Sequence, residues 1–145
     1  MKSKNEIYKI NKKYHFYAGH RNENLVDKCW NLHGHTYYIT CDFEFSYDSK
    51  TGITFLFSDI DKIVDPIIKK LDHSMLIHIN DPLLPFLQEF NHTQKEVMKL
   101  NIFDFVTSAE NLSKYLYNEI KKHLPITKLT FQETTSSIVT YELSN

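Results

Sequence analysis

Between residues 20 and 35 the chain places three histidines and a cysteine: His20, Cys29, His33 and His35. The last two flank Gly34, one of only three glycines, directly ahead of the run Thr36-Tyr37-Tyr38-Ile39-Thr40. That β-branched and aromatic run predicts a strand. Side chains alternate across a strand, so His33 and His35 point to one face, roughly 6–7 Å apart. Two imidazoles on one face can share a metal ion. His20 ends the earlier stretch "FYAGH", and antiparallel pairing of the two segments would bring it beside the pair. Three neutral imidazoles bind Zn²⁺ and leave the fourth position open, as in a catalytic site. Cys29 would put a thiol at the rim, where its thiolate could take a proton from something bound to the metal. Plainer readings stand beside this one. Each histidine alone could be a core or strand-end residue, Cys29 could be a small buried one, and Cys29 could also close the fourth position of a purely structural zinc site. The combination of the four favours chemistry.

The elements that must position these residues follow from periodicity. Ile7 to Phe16 shows mixed alternation and His35 to Phe45 forms a second, longer strand, the two expected to pair antiparallel. "SYDSKTG", Ser46 to Gly52, carries turn residues, so Ile53 to Phe57 reads as a third strand. In "SDIDKIVDPIIKKLDH" the residues Ile60, Ile63, Val64, Ile67, Ile68 and Leu71 recur at helical spacing behind Ser58 as N-cap. Pro66 either kinks that helix or starts its regular part. The stretch Asp81 to Phe105 is less regular and could hold a short helix near Leu83 to Phe90 and a short strand before Thr107. A capping box of Thr107 and Glu110 opens the next helix, with Leu112, Tyr115, Leu116 and Ile120 on one stripe and Pro125 stopping it. "ITKLTFQE" and "SIVTYEL", separated by "TTSS", read as a final hairpin. The order strands, helix, helix, strands predicts an α+β fold with helices on one face of an antiparallel sheet. Sheet edges rich in Tyr, Phe and Ile predict a homo-oligomer.

Composition narrows the partners. With 41% hydrophobic and 14% aromatic residues over 145 positions, a single domain, 1–145, has enough apolar material for a core. Seventeen basic residues against eighteen acidic ones give a formal charge of -1, so there is no global field to recruit nucleic acid or an anionic membrane. The expected partner is a small molecule. The start "MKSKNEIYKINKKYHF" has no apolar leader, and no run approaches the roughly 18 apolar residues of a span, so a cytoplasmic location is expected. Two cysteines are too few for a disulfide framework, and Cys41 in its apolar strand reads as core. The absence of a glycine-rich phosphate loop predicts no nucleotide cofactor.

The segments "FYAGHR", "CWNLHGHTY", "LDHSML", "TSAENL" and "FQETTSSIVTYE" occur in the order and approximate spacing of the 6-pyruvoyl-tetrahydropterin synthase / 6-carboxy-tetrahydropterin synthase family, which the chain resembles over nearly its whole length. Cysteine, three residues, then "HGH" is similar to the short spacing of the bacterial 6-carboxy enzymes of queuosine biosynthesis. The resemblance implies a zinc enzyme acting on 7,8-dihydroneopterin triphosphate. It also implies the tunnelling fold: a four-stranded antiparallel sheet with two helices on one side, trimerising into a barrel, with two barrels forming a hexamer. By the same resemblance His20, His33 and His35 match the zinc ligands and Cys29 the catalytic cysteine. Asp72 and His73 match an Asp-His pair that assists proton movement from a neighbouring subunit, and Glu133 matches the carboxylate that anchors the pterin ring, which one carboxylate can accept bidentately. Glu110 is a candidate second contact to the pterin. The product implied is 6-carboxy-tetrahydropterin with release of acetaldehyde; the alternatives are the 6-pyruvoyl product or a non-catalytic pterin-binding homologue. Lys12, Lys13, Arg21 and Lys28 are candidates for holding the triphosphate. One departure is Leu56-Phe57, where family members commonly carry Asp-Phe; the aspartate is shifted to Asp59 or its role is lost.

Overall fold

A computed structural model describes residues 6–144; residues 1–5 of the polar start lie outside them. The elements in order are β1 (Ile7–His20), a short 3₁₀ turn (Lys28–Trp30), β2 (His33–Ser46), α1 (Phe57–Leu71), β3 (Ser74–His78), α2 (Leu84–Thr93), β4 (Leu100–Phe103), α3 (Ala109–Lys121), β5 (Ile126–Gln132) and β6 (Ile138–Glu142). The strands form one sheet in the order β4-β3-β1-β2-β5-β6. The α+β class holds, but the sheet has six strands rather than four and is mixed rather than wholly antiparallel. β3 runs parallel to β1, and β4 parallel to β3.

Each difference has a local cause. Ile53 makes only an isolated bridge back to Asp48, and Phe57 opens α1, so no strand forms over Ile53 to Phe57. β3 follows "LDH" directly and buries Ser74, Leu76 and Ile77. A short parallel strand covered on both faces shows no alternation to read. A third helix, α2, connects β3 to β4 and buries Leu84 while Phe86 and Phe90 stay exposed. It falls where a short helix was expected. Leu56, not Ser58, occupies the N-cap of α1 without a side-chain cap bond, and Pro66 stands inside that helix rather than at its start.

The β1–β2 ladder is the frame of the molecule. It runs in continuous register from Ile7 opposite Ser46 to His20 opposite His33. On one face Phe16, Tyr37, Ile39, Cys41, Phe43, Leu129 and Phe131 are buried under α1, through Ile60, Val64 and Ile68, and α3, through Leu112, Leu116 and Ile120. Removing each large side chain from water contributes about 1.5–3 kcal/mol. On the other face Tyr17 and Tyr38 are half exposed. The alternation of β1 and β2 therefore places His20, His33 and His35 at the end of the covered face, next to the aromatic core and not on the open side. Among the described residues no helix is long and apolar enough to cross a membrane.

Candidate functional site

His20 and His33 are directly opposed partners, and His35 faces Ala18 one pleat further in. The three rings converge, with centroids 4.6 Å (His20–His33), 5.1 Å (His20–His35) and 4.8 Å (His33–His35) apart. Gly34 lies opposite Gly19, and a Cβ on Gly34 would stand 3.1 Å from the Ala18 carbonyl oxygen. A side chain there would push the Ala18 backbone back by a few tenths of an ångström, so glycine suits the close approach of the strands between the two histidines. Beneath the rings lies Tyr37, 5.4 Å from His35 and 6.0 Å from His20, stacked in turn on Phe16 at 4.8 Å.

Backbone carbonyls set the ring orientations. His20 Nδ1–H donates to the Thr107 carbonyl at 2.8 Å and His33 Nδ1–H to the Asn31 carbonyl at 2.6 Å. A carbonyl can only accept, so Nδ1 carries the proton in both rings and the Nε2 lone pair is left for the cluster. Glu133 completes the group, its Oε1 lying 2.9 Å from His35 Nε2 and 3.4 Å from His20 Nε2. Neither contact has hydrogen-bond geometry, so both nitrogens are buried without a hydrogen-bond partner. One ligand atom from each of His20, His33, His35 and Glu133 falls within 4.8 Å of all the others. Orphaned, buried nitrogens converging on one point fit a metal ion, and the donor set of three nitrogens and an oxygen suits zinc.

The electrostatics agree. The neighbouring imidazoles, His20 first, draw the Glu133 carboxyl below its ordinary range although burial opposes this. Burial, first, and then the neighbouring imidazoles lower His35. A carboxylate beside a neutral imidazole is the protonation state that a cation requires.

Cys29 lies in the 3₁₀ turn of the β1–β2 loop and is not one of the four converging groups. The fourth side chain at the cluster is a carboxylate, not sulfur. Asp27 caps the turn, accepting from Cys29 N–H at 2.7 Å. Burial, then the charge of Asp27, raise the Cys29 thiol, with Lys28 opposing. Cys41, fully buried in the core as expected, is pushed up to about 12 by burial.

Asp72 and His73 are not among the four converging groups. Asp72 Oδ1 accepts from Tyr17 N–H at 2.9 Å, which is the main reason its carboxyl is lowered. His73 Nδ1–H donates to Asp72 Oδ2 at 2.8 Å, and His73 N–H donates to the Tyr17 carbonyl at 2.6 Å. His73 holds a φ of 52°, a left-handed conformation that a non-glycine residue keeps only where its surroundings enforce it. Its ring packs edge-on against Tyr17 at 5.6 Å, on the face of β1 opposite to His20. A groove of about 810 Å³ runs past it, lined by Tyr17, Leu32, His33, His35, His73 and Met98 among others.

One local expectation fails, and the surroundings of the other candidates narrow their use. The capping box of Thr107 and Glu110 does not form; Ser108 Oγ accepts from Asn111 N–H, and the buried Thr107 gives its carbonyl to His20. Glu110 is exposed in the first turn of α3. Arg21 is buried and its Nε donates to Asp81 at 2.8 Å, so it is not available to a triphosphate. Lys12 is paired with Asp61 at 3.1 Å, while Lys13 and Lys28 remain exposed. Asp59 pairs with Lys62 at 3.3 Å on α1, and Leu56 is half exposed. Asp81 and Thr107 carried no sequence signal, since one is a loop aspartate before proline and the other acts through its backbone.

The family model described as 6-pyruvoyl tetrahydropterin synthase matches residues 9–144. Among curated proteins, the 6-carboxy-5,6,7,8-tetrahydropterin synthase of Aquifex aeolicus is 28% identical, covering 93% of this chain and 98% of its own length. The enzyme of the same name from Haemophilus influenzae is 27% identical, covering 94% and 99%. In fold, the chain is similar to the solved structure of Caenorhabditis elegans 6-pyruvoyl tetrahydropterin synthase, with a TM-score of 0.71 and 22% identity over 99% of this chain and all of that one.

Proposed function

The chain belongs to the 6-pyruvoyl tetrahydropterin synthase family, and on that premise we propose that it is a zinc-dependent lyase converting 7,8-dihydroneopterin triphosphate to 6-carboxy-5,6,7,8-tetrahydropterin, with release of acetaldehyde and triphosphate, in queuosine biosynthesis. The observation that carries the reading is the convergence of three imidazoles and a carboxylate on one point, with a thiol on the loop above. His20, His33 and His35 would hold the ion through Nε2. When bound, zinc supplies a Lewis acid that acidifies the substrate's side-chain hydroxyls and stabilises the enolate-like charge left when a neighbouring proton departs.

The other roles belong to the chain itself. Cys29 is the base that removes the carbon-bound proton. Glu133 turns its carboxylate to the two parallel N–H groups of the pterin's guanidine-like edge. Glu110, not engaged in a capping box and three residues from the Thr107 that holds His20, adds a second contact to the same ring. Asp72 keeps the His73 imidazole oriented for proton transfer at the site of a neighbouring subunit, in a trimer or hexamer. Lys13 and Lys28 are the exposed cations left for the triphosphate.

The names of the two bacterial relatives and the short spacing between Cys29 and His33 favour the 6-carboxy product, since moving the base relative to the metal changes which carbon it can reach. The 6-pyruvoyl product is the second reading, favoured by the fold neighbour. A non-catalytic pterin binder would have no use for Cys29, Asp72 or His73. Incubation of the zinc-loaded protein with dihydroneopterin triphosphate, with assay of acetaldehyde and mass detection of the pterin, tests the choice. Acetaldehyde with a carboxylated tetrahydropterin is expected. A pyruvoyl product without acetaldehyde would establish the second reading, and no turnover the third.

A further inference from the structure

The loop that carries Cys29 is held by side chains that are not among the four converging groups. Arg21, the residue after His20, is buried and reaches two ways. Its Nε donates to Asp81 Oδ2 at 2.8 Å, and its Nη1 donates to the Trp30 carbonyl at 3.2 Å. Its guanidinium carbon also lies 4.8 Å from the centre of the Trp30 ring. Asp81 has a side chain only 1% exposed. Its other oxygen accepts from Leu83 N–H at 2.8 Å, which fixes it in the turn before α2. A second tie lies alongside, where His78 of β3 bonds Glu23. Across the loop, Asn22 N–H donates to the Cys29 carbonyl at 2.8 Å.

We infer that the Arg21–Asp81 pair, with Trp30 stacked on the guanidinium, is a positioning brace that fixes Cys29 over the metal cluster. The planar guanidinium serves this use because it can bond a carboxylate and a carbonyl while offering a flat face to an indole. Trp30 neighbours Cys29 in the chain, so the position of the guanidinium sets that of the thiol. The pair is buried, so solvent screens it little. Without Asp81 the cation keeps no anionic partner, and the loop is free to leave its place. The catalytic significance rests on the reading of Cys29 as base; the brace itself does not.

The test uses the full-length, zinc-loaded protein and the variants Asp81→Asn and Trp30→Ala. Trp30→Ala removes a half-exposed ring and guards against the case in which Asp81→Asn fails to fold. Alkylation of Cys29 by iodoacetamide is followed by peptide mass, with buried Cys41 as internal control, and kcat and KM are measured beside it. Freeing the loop is expected to raise the Cys29 alkylation rate about threefold or more. It is also expected to lower kcat roughly tenfold or more, with KM little changed and bound zinc unaltered. Alkylation at the wild-type rate in both variants would overturn the brace, whatever the activity. Faster alkylation with kcat retained supports the brace and counts instead against Cys29 as base.

Discussion

Glu133 holds its Oε1 2.9 Å from Nε2 of His35, a close approach that leaves this buried nitrogen without a hydrogen-bond partner. One residue past the end of β5, it crosses from a neighbouring strand to the point on which the histidines of β1 and β2 converge. Two uses compete for it: fourth ligand to the metal, or receptor for the substrate. On the proposed function three histidines make up the usual protein share of a catalytic zinc site, which would leave Glu133 for the substrate.

Glu133→Gln separates the uses. The amide keeps the shape but loses the charge that accepts two N–H donors. Bound zinc is expected to stay at the wild-type level while KM for dihydroneopterin triphosphate rises about tenfold or more. Loss of most of the zinc in this variant would make Glu133 a ligand and reassign the anchor.

Metal removal should also be felt in stability. An ion bound only by the folded chain adds about 2.7 kcal/mol at a hundredfold excess over its dissociation constant, or roughly 5–10 °C in melting temperature for a chain of this size. Chelation is expected to produce that drop in the wild type. In His33→Ala and His35→Ala the starting zinc content should be low and the chelator's effect small. Wild-type zinc content in both variants would dismiss the proposed ligand set.

The two thiols predict opposite outcomes. Cys29→Ala is expected to preserve metal and fold yet lower kcat by several orders of magnitude, since the proposed base is gone while the binding site stays intact. Cys41→Ala removes a buried sulfur that packs in the core, costing some stability but leaving turnover in place. A Cys29→Ala enzyme within about tenfold of wild type would mean that another group is the base.

What the sequence made legible follows the length and regularity of each pattern. The histidine pair could be placed on one face because strand alternation is strict, and β1 and β2 turned out long enough for the register to carry His20 to His33. α1 and α3 were visible through their apolar stripes. β3 was not, because a strand of five residues buried in a parallel arrangement has no period to detect, whereas β4 falls where a short strand before Thr107 was expected. The supports of the site were equally silent. Thr107 acts through its carbonyl, and Arg21 and Asp81 meet across sixty positions. Arg21 looked like a cation free for phosphate because nothing local reveals a buried partner.

The position of the Asp72–His73 pair predicts how sites are shared between subunits. Tyr17, which holds both residues through its backbone and packs on the His73 ring, directs its side chain to the face of β1 opposite to His20. Within one chain the relay and the metal cluster are thus on different sides of the sheet. A relay that acts at a neighbour's cluster predicts complementation. Cys29→Ala and His73→Ala should each be inactive alone. When the two are unfolded, mixed in equal amounts and refolded with zinc, some interfaces pair an intact Cys29 from one chain with an intact His73 from the other. Random assembly makes about a quarter of the sites complete, and recovered activity near that fraction of wild type is expected. Mixing without refolding serves as the control for contaminating enzyme. If the refolded mixture stays as inactive as its components, while wild type taken through the same steps recovers, the pair serves its own chain and the shared-site arrangement is wrong.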